Sequence, residues 1–104
     1  MREVKPLKYK ELDGLSEKQL SEHHDVLYAG YVKKVGEIEE KLKNVDLLAS
    51  NATHSDLREL KMEETFALNG VKLHEGYFDN MSKGGHEPAG KIMEMLGRDF
   101  GSYE

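Results

Sequence analysis

The sequence predicts an all-α fold: a long antiparallel helical hairpin plus a shorter third helix. Three observations point there. Apolar residues recur at steps of three, four and seven over two long segments, which is the period of a helix with one buried face. Capping residues stand where those segments begin. No stretch alternates apolar and polar residues as a half-buried strand does.

The first dozen residues, MREVKPLKYKEL, read as an extended lead-in, punctuated by Pro6 and closed by the turn pair Asp13-Gly14. Ser16 opens the first helix, and Gln19 three residues on completes a capping-box pattern. Leu20, Leu27, Tyr31, Val35, Ile38 and Leu42 then form its apolar stripe, which runs to about Lys43. Gly30 and Gly36 interrupt the stripe, at about 1 kcal/mol each against alanine, and mark a bend or a close approach. Residues 44 to 55, NVDLLASNATHS, form a connection. With Ser55 as N-cap, a second helix runs from about Asp56 to Met81. Leu57, Leu60, Glu64, Ala67, Val71, His74, Phe78 and Met81 fall on one of its sides. Asn69-Gly70 is a turn signal in isolation, but helical spacing resumes on both sides, so the helix is read as continuous. A loop, SKGGHE, leads to Pro88 in the first turn of a third helix. That helix carries Ile92, Leu96 and Phe100 on one face and ends at Gly101. Residues 1–82 are thus expected to form the hairpin domain, and 83–104 a linker with the first helix of a second domain.

Composition narrows the function classes. Fifteen basic against twenty acidic residues give a net charge of −5, which repels phosphate backbones and argues against nucleic acid. The chain has no cysteine, so neither disulfides nor thiolate metal sites are available. No apolar run approaches the roughly 18 residues of a membrane span, and the N-terminus lacks the apolar core of a signal peptide. A cytoplasmic location is the expectation.

The stretch SEHHDVLYAGYV carries the candidate chemistry. His23, Leu27 and Tyr31 are spaced i, i+4, i+8 and share a face, while His24 is rotated about 100° from His23. His74 lies on the stripe of the second helix. If the helices pair antiparallel, His23 and His74 meet across the seam and offer two imidazoles to a first-row transition metal. Spacing alone leaves the other reading open, a hydrogen-bonded core histidine on an amphipathic helix. His54 and His86 fall in predicted loops and are read as solvated. No Glu-x-x-His occurs on either helix, which argues against a di-iron carboxylate bundle. No glycine-rich phosphate loop follows a strand, and no hydroxyl nucleophile has its base.

Three ordered segments, SEHHDVLYAGYV, NGVKLHEGYFDNM and GGHEPAGKIMEMLGRDFGSYE, together with the lead-in PLKYKELDGLSEKQL, resemble the N-terminal half of the iron/manganese superoxide dismutases. The resemblance covers nearly the whole chain. It implies that His23 and His74 are metal ligands to iron or manganese, and that Tyr31 is the neighbouring tyrosine that helps deliver protons and gates the substrate, superoxide. It also implies that the two remaining ligands sit in an Asp-x-x-x-His motif of a C-terminal α/β domain beyond Glu104. The partner is then that domain or a second copy in a homo-oligomer such as a dimer. Three positions depart from the family pattern: Leu27 and Tyr28 stand where histidines are usual, and Phe78 where tryptophan is usual. Gly70 matches the manganese-type pattern. The 104 residues alone are therefore expected to show little dismutation. The competing expectation is a non-enzymatic helical hairpin that self-associates or binds a partner chain, a homodimer pooling four histidines being one version of it.

Overall fold

The computed structural model describes residues 2–104. Helix α1, Glu17–Ser21, passes without a break into a π-helical segment, Glu22–Tyr28, and then into α2, Ala29–Lys43. A short 3-10 turn, Leu47–Ala49, follows, and then α3, Asp56–Asp79, and α4, Gly90–Phe100. No strand occurs among the described residues; the closest approach to one is a single bridge between Leu12 and Leu15 around the Asp13-Gly14 turn. Gly14 takes φ 84° there, a conformation that glycine adopts without the steric cost of a Cβ.

The helix starts follow from local chemistry. The Ser16 hydroxyl accepts from the Gln19 amide at 3.2 Å, and the Gln19 side chain accepts from the Ser16 amide at 3.3 Å, closing the capping box. The Ser55 hydroxyl accepts from the Arg58 amide at 3.2 Å. Through Asn69-Gly70 helix α3 runs on unbroken, because both neighbouring turns carry core residues, Ala67 and Val71. At the far end, the amide of Gly101 bonds the carbonyl of Gly97 with φ 85°.

Three expectations need correction. First, Leu27 is not part of the buried stripe: it is 55% exposed, and Tyr28 beside it is 1% exposed. The π turn is the reason. In an α-helix each step of four residues turns the row by about 40°. In the π segment hydrogen bonds reach one residue further back, as the Ala29 amide does to His24, and the wider turn removes most of that drift. Leu20, His24, Tyr28 and Val32 therefore stay on the core side, and all four are buried. Second, close packing at Gly30 is absent, since nothing lies within 4 Å of where its Cβ would be; the irregularity lies just before it. Third, α4 begins at Gly90 rather than Pro88, its N-cap Ala89 offers no side-chain bond, and Ile92 and Phe100 are exposed.

The core forms where α2 and the π segment pack on α3: Tyr28, Val32, Val35, Ile38, Ala67, Val71 and Phe78. The lead-in lies along the open end of this hairpin, with Leu7 against the core and Lys5 paired to Glu75 at 2.9 Å. Helix α4 has no buried residue. The radius of gyration, 19.8 Å, far exceeds the value of about 13 Å for a compact chain of this length, so the molecule is extended rather than closed around one core. Among the described residues no helix is long and apolar enough to cross a membrane.

Candidate metal centre

The hairpin brings His23 and His74 together at its open end. Their ring centroids lie 4.9 Å apart with the planes nearly perpendicular. His23 comes from the π segment and His74 from the last third of α3, so 51 residues of sequence separation close into one contact across the seam. The packing of α2 and the π segment on α3, with Val35 and Val71 fully buried in the core between them, sets the register that makes this meeting.

The two imidazoles are held differently. The Nδ1–H of His74 donates to the carbonyl of Gly70, one turn back on the same helix, at 2.6 Å. In the neutral ring that bond assigns the proton to Nδ1 and leaves the lone pair on Nε2, the form that a metal takes. Burial first, and the neighbouring His74 second, hold His23 below the ordinary imidazole range, which favours the neutral donor form.

Tyr31 stands beside His74, with ring centroids 5.2 Å apart, and against Phe66 at 6.1 Å. Its seat is made by the absence of a side chain at Gly70. A Cβ there would lie 2.5 to 2.8 Å from the Tyr31 ring, inside contact distance for any carbon pair. Gly70 thus serves twice, its carbonyl orienting His74 and its bare Cα admitting Tyr31.

Aromatic rings complete the surroundings. Phe78 is buried 5.1 Å from His23, and Tyr77, 45% exposed, lies 4.9 Å from the same ring. Leu27 borders His23 and Tyr77 on the outer side of a shallow depression. His54 and His86 lie on exposed loops, as expected.

His24 and Tyr28 make bonds that spacing could not reveal. The His24 ring faces the Asp25 carboxylate through Nδ1 at 2.7 Å and the Lys5 carbonyl through Nε2 at 2.6 Å. Both partners are acceptors, so the two bonds form together only when both ring nitrogens carry a proton. The Lys5 amide donates to the Tyr28 hydroxyl at 3.1 Å. The pairing of a double histidine with a tyrosine four residues on was the only sequence signal for this arrangement.

As a donor set, the site is half of what a tightly bound first-row metal needs. His23 and His74 fit imidazole coordination, and no group of three or more metal-ligating side chains occurs among the described residues.

No protein-family model matches the chain. Among curated proteins it is similar to an iron superoxide dismutase of Aquifex aeolicus, 40% identical over 102 residues, covering 94% of this chain and 48% of that protein. An iron superoxide dismutase of Cupriavidus metallidurans is 39% identical over 104 residues, covering 98% of this chain and 51% of that protein. A manganese superoxide dismutase of Haloferax volcanii is 38% identical over 108 residues, covering 98% and 52%. The chain spans about half the length of the curated relatives it matches.

Proposed function

The chain is a homologue of the iron/manganese superoxide dismutases, and from that premise we propose that it forms the N-terminal, helical half of a superoxide-dismutating metal site. In this reading His23 and His74 are two ligands of one iron or manganese ion. The observation that carries it is the meeting of the two rings, 4.9 Å apart, at the open end of the hairpin. When bound, the ion supplies one-electron chemistry, by which two superoxide anions and two protons become dioxygen and hydrogen peroxide.

The residues of this chain do the rest. Gly70 fixes the tautomer of His74 through its carbonyl. Tyr31 is the proton-bearing group packed on that ligand, and it takes part in proton delivery and in gating the approach of superoxide. Phe78 and Tyr77 wall the His23 side and keep water from that flank. The remaining donors, a carboxylate and an imidazole, come from a further domain. Residues 1–82 are then the hairpin domain, and 83–104 open that second unit. The complete protein works in the cytoplasm as a dimer.

Fragment complementation tests this reading. The metal-loaded 104-residue chain is mixed with the half of the Aquifex aeolicus enzyme that it does not match, and superoxide consumption is followed. The chain alone should show little turnover, and the mixture should gain turnover that His74→Ala abolishes. Robust dismutation by the chain alone, or equal turnover by the wild-type and His74→Ala mixtures, would overturn it.

A further inference from the structure

The π-helical segment Glu22–Tyr28 carries two side chains that grip the backbone of one residue of the lead-in, Lys5, on both of its polar groups. His24 Nε2 faces the Lys5 carbonyl at 2.6 Å, and the Tyr28 hydroxyl accepts from the Lys5 amide at 3.1 Å. Both rings are buried, 6% and 1% exposed, and they lie 5.3 Å apart with their planes tilted by 58°. The same residue, Lys5, reaches across to Glu75 on α3, beside His74, at 2.9 Å, and Lys8 reaches Asp79 at 3.7 Å. The lead-in therefore spans both helices at the level of the two histidines.

A π turn is intrinsically less favourable than an α turn and persists where surrounding structure holds it. Nothing in the sequence EHHDVLY forces one, as it contains neither proline nor glycine. The bonds to Lys5 lie at the third and seventh residues of the segment, so they clamp its middle and its end. If the whole segment relaxed to α geometry, the three steps from Leu20 through His24 and Tyr28 to Val32 would accumulate about 120° of drift, so the four could not all keep to the core side, and His23 would turn relative to His74.

We propose that His24 and Tyr28 are positioning residues: by holding the Lys5 backbone amide and carbonyl they stabilise the π turn that presents His23 to His74. The geometry of this clamp stands independently, and its consequence for a metal rests on the reading of His23 and His74 as donors. The clamp acts through backbone register, so its loss separates the two imidazoles while the core around Val35 and Val71 stays closed.

The test is nuclear magnetic resonance on the metal-free full chain, reading cross-relaxation between the ring protons of His23 and His74, with the methyl contacts of the core valines Val32, Val35 and Val71 as the control for folding. Manganese(II) is then titrated into each sample. Tyr28→Phe removes only the hydroxyl, His24→Met removes both ring bonds, and His24→Gln keeps a donor toward the Lys5 carbonyl. Loss of the His23–His74 cross-peak in Tyr28→Phe and His24→Met with the valine contacts intact, and recovery in His24→Gln, is the expected result. An intact cross-peak in both Tyr28→Phe and His24→Met overturns the proposal. So does simultaneous loss of the imidazole and valine contacts without rescue by glutamine, which marks a purely structural role. If the wild-type cross-peak is present and the variants behave as expected while manganese(II) binds to none of them, the clamp stands and the metal reading fails.

Discussion

The hairpin and helix α4 carry the same sequence pattern and meet opposite fates. In α2 and α3 the apolar stripe closes on a partner and yields a core in which Val35 and Val71 are fully buried. In α4 the face of Ile92, Leu96 and Phe100 is as well patterned, yet no residue is buried and Phe100 remains 78% exposed. Periodicity specifies that a helix has an apolar side; what covers that side is decided by chain topology. Here a 24-residue helix returns antiparallel along α2, whereas α4 leaves the hairpin through an extended loop and packs on nothing comparable.

Phe78→Ala should give the largest contrast between the two regions. It removes a ring that is 7% exposed among His23, His24 and Tyr28, and should cost about 3–5 kcal/mol. Phe100→Ala, the same chemical change on α4, should stay within about 0.5 kcal/mol. Urea unfolding followed by circular dichroism compares the two, and equal costs would erase the distinction. Next in size is a pair of glycines within α3. Gly70→Ala drives a Cβ into the Tyr31 ring and should destabilise by about 1–3 kcal/mol. Gly76→Ala, where nothing lies within 4 Å, should instead stabilise by up to about 1 kcal/mol through helix propensity. Thermal melts read the opposite signs directly. Smaller again is Ser55→Ala, which deletes the α3 cap and should cost about 1 kcal/mol, whereas α4 has no side-chain cap to lose at Ala89.

The smallest effect is a pH dependence. His23 in the folded, metal-free hairpin lies below its ordinary value of 6.5, because burial and then His74 disfavour its charged form. The unfolded chain binds the proton more readily, so stability rises with pH in this window. The contribution is full above 6.5 and is lost as the pH falls through the lower folded value. His23→Gln should flatten that slope in melts taken from neutral to mildly acidic pH; an unchanged slope assigns it to another group.

Much of the fold was legible because local chemistry decided it. Ser16 and Ser55 cap where hydroxyl residues precede apolar periodicity, and Gly101 ends α4 with the positive φ it alone tolerates cheaply. The pairing of His23 with His74 followed from two stripes and an antiparallel return. The π turn was not legible, since its register depends on bonds from Tyr28 and His24 to Lys5, some twenty residues away, rather than on residue type. That hidden register misassigned Leu27 to the core and hid Tyr28. Pro88 misled differently: it suits a first helical turn, but extended backbone runs through Ala89, and the helix opens only at Gly90 with φ 62°.

Manganese(II) binding to the full chain, measured by electron paramagnetic resonance for wild type, His23→Ala, His74→Ala and the double variant, tests the central claim most directly. If His23 and His74 are two donors of one site, each single variant should lose binding as completely as the double variant, because one imidazole left alone holds the ion no better than none. His54→Ala and His86→Ala should leave it unchanged. Binding that survives both single variants, or that falls only with His54 or His86, would contradict the account.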